Sequence, residues 1–135
     1  MYDQLRQRGK EFGIVFGNHT LLSNSRIALE ASEYARDMGM FHSFHENMFR
    51  AYFTEALDIG SHDVVSGVAK ICGLDADSMM EAIQDGRYRI RLVEARKEGR
   101  MINLTGVPTF IIDGKYKIIG AQPLDIFKEV ISKLT

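Results

Sequence analysis

From Tyr2 to Leu104 apolar residues recur mostly at helical spacing; after Thr109 they crowd into two short runs, then return to the helical period. The spacing predicts a short helix over Tyr2–Phe12 with Leu5 and Phe12 facing inward. Gly13-Ile14-Val15-Phe16-Gly17 is a short apolar run between glycines, and its length fits a strand fragment or an extended connector equally well. Ser23-Asn24-Ser25 supplies capping oxygens ahead of a helix with Ile27, Ala28, Ala31, Tyr34, Ala35 and Met38 on one stripe and Gly39 at its end. The clearest helix follows, with Phe41, Phe44, His45, Met48, Phe49, Tyr52, Phe53 and Ala56 on one side. Ser61 caps the next, which carries Val64, Val65, Val68, Ala69, Ile71 and Cys72. Asp75 and Asp77 favour another start, by capping and through the helix dipole, with Met79, Met80 and Ile83 on the stripe. Tyr88–Leu104 reads as a charged helix that Gly99 weakens by about 1 kcal/mol relative to alanine.

Beyond that point the period changes. Thr109-Phe110-Ile111-Ile112 and Tyr116-Lys117-Ile118-Ile119 flank Asp113-Gly114-Lys115, the signature of a β-hairpin. Gly120-Ala121-Gln122-Pro123 leads into a last amphipathic helix with Leu124, Phe127, Val130, Ile131 and Leu134 inward; Pro123 suits its first turn. Both strands are apolar at nearly every position, which predicts burial on both faces. A hairpin alone is marginal, and a bare apolar edge recruits another strand. The expectation is a homodimer, or an added strand from Gly13–Phe16.

Composition narrows the class. The 135 residues suit one domain, with 45% hydrophobic and 26% charged residues and a net charge of −1. Nothing in that balance points to nucleic acid or to an anionic membrane as a partner. No apolar run reaches the roughly 20 residues of a membrane span. The polar start Met1-Tyr2-Asp3-Gln4 carries no apolar leader segment, so a cytoplasmic location is expected. A single cysteine, Cys72, excludes an intrachain disulfide.

Gly106-Val107-Pro108-Thr109-Phe110 carries the most information. A proline belongs at the start or edge of a strand because it cannot donate to the ladder, and the dipeptide alone leaves its trans form the ordinary one. Together with the hairpin, the glycine and the terminal helix, the segment resembles the end of a thioredoxin fold. Asn24-Ser25-Arg26-Ile27-Ala28-Leu29, the run Phe44–Phe53, and Gly120-Ala121-Gln122-Pro123 add to the likeness in order and spacing. The chain is similar to the DsbA-like oxidoreductases, specifically the group of FrnE and the 2-hydroxychromene-2-carboxylate isomerases.

The resemblance implies a mostly helical α/β fold: the C-terminal part of a thioredoxin-like fold with a helical insertion. Residues 1–105 would form the helical region, and 106–135 the proline strand, hairpin and terminal helix of a single domain. It implies a cis Val107–Pro108 bond, and substrate binding by Val107, Pro108, Thr109, Ala121 and Gln122. Val107 would offer its N–H and C=O to an extended protein thiol or disulfide substrate, or to glutathione. Ala121 and Gln122 would stand where relatives hold a γ-glutamyl group, although Ala121 brings no hydroxyl. Family members begin with a strand and an active-site turn bearing Cys-x-x-Cys or Ser; neither is found ahead of Tyr2, so the chain reads as starting after that half. The implied activity is thiol–disulfide exchange, with a glutathione-dependent isomerase or a non-catalytic binding module as alternatives. No catalytic residue is assigned within the chain.

Other features read more plainly. Cys72 sits among Ile71 and Leu74 as a buried, inert thiol. His42 and His45, three apart beside Glu46, have a metal-like spacing, yet His42 reads as solvated and His45 as a packing residue. The aromatic and methionine stripe Phe41–Phe53 reads as core rather than as a small-molecule pocket. The charges over Arg87–Arg100 read as a solvated face with i, i+4 pairs opposing Arg87 and Arg91 to Glu94 and Glu98.

Overall fold

The computed structural model describes residues 2–134. In chain order the elements are α1 (Tyr2–Glu11), α2 (Arg26–Asp37), α3 (Phe41–Phe49), a π-helical turn (Arg50–Thr54), α4 (His62–Ile71), α5 (Ala76–Gln84), α6 (Arg87–Met101), β1 (Thr109–Ile112), β2 (Tyr116–Ile119) and α7 (Leu124–Ser132). They fall into two compact units, one ending at Val93 and the other beginning at Glu94.

The first unit is built around α2, which touches α3, α4 and α5. Its inward stripe is mostly alanine: Ala28, Ala31 and Ala35 are buried. Small side chains there let the neighbouring helices approach closely, and the larger residues come from the partners. Phe44 of α3, Val65 of α4 and Met79 of α5 are fully buried in the same cluster. Gly39 ends α2 with φ at +72°, a conformation that costs other residues steric energy. The next amide, of Met40, then closes on the Ala35 carbonyl at 2.8 Å. At the start of α5, the Asp75 carboxylate accepts from the Ser78 N–H at 2.8 Å, as its capping role predicts. Ser25 and Ser61 occupy cap positions without making that bond.

Two expectations of regularity are corrected. The helix foreseen from Phe41 to Ala56 is α-helical only to Phe49; from Arg50 it widens into a π turn, closed by the Glu55 N–H on the Arg50 carbonyl at 3.0 Å. The added strand foreseen at Gly13–Phe16 is not formed. That segment is a connector whose first amides turn back onto α1, Gly13 to the Lys10 carbonyl at 3.2 Å and Ile14 to the Gly9 carbonyl at 2.8 Å.

The arginines of α6 also depart from expectation. Arg87 pairs with Asp85 just ahead of its own helix, and Arg89 and Arg91 reach α2 rather than Glu94 and Glu98. Arg91 grips Asp37 with two bonds of 2.8 and 2.7 Å, and the Tyr88 hydroxyl adds a third at 3.0 Å. Arg89 and Arg26 stand 3.7 and 3.9 Å from the buried carboxylate of Glu30. Sequence spacing within one helix could not show this, because the acids come from another.

The second unit holds the hairpin and α7. Thr109 pairs with Ile119, Phe110 with Ile118, Ile111 with Lys117 and Ile112 with Tyr116, antiparallel. The ring of Phe110 meets that of Phe127 edge-on at 4.9 Å. Burial on both faces is not found: Ile118 is buried, while Phe110, Ile111 and Ile119 are exposed. A two-stranded sheet with one helix offers too few neighbours to cover two apolar faces. Lys117 ties the hairpin to the end of α6 by donating to the carbonyls of Ile102 at 2.7 Å and Asn103 at 3.2 Å, a favourable place for a cation at a helix C-terminus.

Two outcomes follow from this packing. Ala31→Leu should destabilise the first unit by about 1–3 kcal/mol in urea unfolding, because the added methylenes have no room between α2 and its partners; a neutral result would refute the close approach. Hydrogen bonding from Arg91, above all, holds the Asp37 carboxyl below its ordinary range. A lowered folded value means the stabilisation is present above the unfolded value and is lost as pH falls through the folded one. Asp37→Asn should therefore cost up to about 1 kcal/mol at pH 7, discounted for exposure, and progressively less as the pH is lowered into the acid range. An equal loss at pH 7 and in the acid range would refute the ionic grip.

Candidate functional site

The five residues expected to bind substrate are brought to one end of the hairpin. β1 begins just after the Val107–Pro108 bond and β2 ends just before Gly120, and the register sets those ends side by side. The Val107–Pro108 peptide is cis, as the resemblance implies. The Gly120 N–H donates to the Pro108 carbonyl at 2.7 Å, adding one bond past the end of the strands. The reciprocal bond cannot form, because proline has no N–H. The Gly120 carbonyl is met instead by the Gln122 amide at 3.0 Å.

Two glycines make the junction fit. Gly120 has φ at +85°, which a side chain would strain. A Cβ on Gly106 would stand 3.2 Å from Cγ2 of Ile119, so this approach of loop to strand leaves little space for one. Thr109 is partly buried and spends its hydroxyl proton on the Gly106 carbonyl at 2.6 Å, bracing the turn before the proline. Gln122 folds its side-chain amide back onto the Ile119 carbonyl at 2.9 Å.

Val107 is left at the tip. It is 84% exposed, and among the described residues neither its N–H nor its C=O has a hydrogen-bond partner. Such a residue can give and take one main-chain hydrogen bond each with an extended peptide. Pro108 and Ala121 are exposed as well. The Thr109 hydroxyl and one N–H of the Gln122 side chain are engaged within the loops. The arrangement can position a chain; it contains no thiol, acid or base placed to break a bond.

Cys72 lies in the other unit, buried as expected, but its surroundings are less apolar than the sequence suggests. The Ser43 hydroxyl and the Asn47 amide approach its Sγ at 3.5 and 3.6 Å. Ser43 and Asn47 share a face of α3 by their i, i+4 spacing, which the sequence does show; that Cys72 of the next helix faces them is a tertiary fact. His42 is exposed, and His45 packs between Phe41 and Phe49 at 5.0 and 4.5 Å. Among the described residues no three of His, Cys, Asp and Glu are grouped to hold a metal ion, and no helix is long and apolar enough to cross a membrane. Nothing in the residue pattern singles out His19, which donates to the Tyr52 carbonyl and stacks on Tyr2 with ring centres 5.2 Å apart.

Comparison with known proteins agrees with this geometry. A solved structure titled as a probable DsbA oxidoreductase, SCO1869 from Streptomyces coelicolor, superposes with a TM-score of 0.79 at 22% identity, over 97% of this chain and 57% of that one. An uncharacterized protein of Bacillus subtilis (strain 168), YwbO, is 33% identical over 107 residues, which is 78% of this chain and 53% of the relative. The chain thus spans about half the length of these proteins. The family model described as DSBA-like thioredoxin domain matches residues 1–132. With the cis-proline junction, the hairpin and the helical unit in place, the chain belongs to the DSBA-like thioredoxin domain family.

Proposed function

We propose that this chain provides the substrate-cradling part of a DsbA- or FrnE-like thiol–disulfide oxidoreductase. The observation that carries the reading is Val107, exposed at the cis-proline junction with both main-chain groups unpaired among the described residues. An extended segment laid along it would exchange hydrogen bonds with the backbone, a mode that tolerates many side chains. That suits an enzyme acting on varied protein disulfides. Glutathione, also a peptide, would meet the same pair, which keeps a glutathione-dependent isomerase as the alternative occupant class.

The chemistry sets a limit on what these residues do by themselves. In exchange, a thiolate attacks one sulfur of a disulfide, the S–S bond breaks, and the departing sulfur leaves as a thiolate. A second thiol must then release the mixed disulfide. The sequence holds one cysteine, and Cys72 is buried. The dithiol must therefore come from residues other than these, and this chain contributes binding and orientation.

Two measurements test the reading. In reduction of insulin by dithiothreitol, the chain should add nothing to the uncatalysed rate, with or without Cys72→Ser; catalysis that survives this substitution would overturn the account. Titrating an extended pentapeptide with a central S-methylcysteine should move the amide signals of Gly106, Val107, Thr109, Gly120 and Ala121 in a saturable way. Val107→Ala should leave the affinity within about threefold, because the contacts are to the main chain. Shifts confined to other residues would place the substrate elsewhere. A response to reduced glutathione but not to the peptide would favour the isomerase class.

A further inference from the structure

The aromatic stripe of α3 does more than fill a core. Between it and α2 lies a partly enclosed cleft of about 250 Å³, wholly within the first unit. One wall is α2, where Ala28 and Ser32 keep the helix surface low. The opposite wall is His45, Met48, Tyr52 and Phe53. The π turn places Tyr52 and Phe53 there, with their rings edge-on at 4.9 Å, and Phe53 stacks on Phe49 with centres 5.4 Å apart. Turns of this kind are frequent at functional sites.

Size, charge and hydrogen bonding each narrow the occupant. An apolar cavity of about 150 Å³ takes a benzene ring, so this volume suits a fused pair of rings and falls short of the roughly 300 Å³ at which drug-sized sites begin. Flat walls of aromatic rings, methionine and alanine favour a planar guest. No lysine, arginine, aspartate or glutamate lines the cleft, so a charged ligand would lose its hydration without gaining a fixed opposite charge. Four polar side chains lie on the lining, Ser25, Ser32, His45 and Tyr52, and each can accept a hydrogen bond. Neither ring nitrogen of His45 has a hydrogen-bond partner among the described residues, and the Ser32 hydroxyl gives its proton to the Ala28 carbonyl at 2.8 Å, leaving its lone pairs free. We infer that this cleft is a binding site for a small, uncharged, fused-ring aromatic molecule carrying an N–H donor.

Indole is the direct probe, with benzofuran as its donor-free isostere and indole-3-carboxylate as its charged counterpart. Titrated into the full chain, indole should give saturable shifts at Ala28, Ser32 and the rings of Tyr52 and Phe53. Benzofuran should bind several-fold more weakly and the carboxylate at least about tenfold more weakly. Ser32→Leu, which fills the cleft, should weaken indole at least about tenfold. Leu29→Trp, at a half-exposed rim position where the fold tolerates bulk, should do the same and covers the case in which Ser32→Leu does not fold. His45→Phe should erase the preference for indole over benzofuran while leaving benzofuran unchanged. Overturning results are shifts that do not saturate, indole affinity unchanged in Leu29→Trp, or a carboxylate that binds as tightly as indole.

Discussion

The first unit depends on how closely α2 lets its neighbours come. Ala28, Ala31 and Ala35 form a nearly flat stripe, and α3, α4 and α5 press their larger residues against it. A helix that contributes little volume to the core can still be its centre, because every facing side chain is then packed against backbone as well as against side chains. The ionic contacts of α6 follow from that position. Arg89 and Arg91 find Glu30, Glu33 and Asp37 on α2 because that helix spends one stripe on the core and carries acids beside it. Glu30 is the exception that shows the tension, a carboxylate almost fully buried with one oxygen lacking a partner among the described residues.

Much of the helical framework was legible in the sequence because burial repeats at the helical period. The stripes beginning at Ile27, at Val64 and at Met79 recur in the buried core, and Gly39 and Asp75 mark ends that the structure uses. What escaped was set by contacts between elements. The π turn at Arg50 leaves the hydrophobic spacing almost unchanged, so the stripe reads as one unbroken helix through Ala56. The reach of Arg91 to Asp37 joins residues far apart in the chain, and i, i+4 reasoning looks only along one helix.

The candidate site was legible for a different reason. A hairpin with Asp-Gly at its turn fixes its own register, and once Thr109 faces Ile119 the residues before one strand and after the other must be neighbours. Pro108 and Gly120 were therefore near each other as soon as the turn was identified. Their roles were less visible. Thr109 and Gln122 each also bond back to the main chain of the loops, which the sequence does not show. The apolar strands promised two covered faces, and the exposure of Phe110 and Ile119 shows that composition reports what a strand is suited to rather than what lies against it.

The unreciprocated bond between Gly120 and Pro108 also acts as a lock on alignment. Hairpins of apolar residues are prone to slide, since a shift of two positions keeps each side chain on its original face. Here a slide in one direction would carry Pro108 inside the ladder, opposite a carbonyl that needs a donor the ring cannot supply. The proline thus bars sliding in one direction, so the residue next to Val107 also limits how far the sheet beneath it can creep out of step.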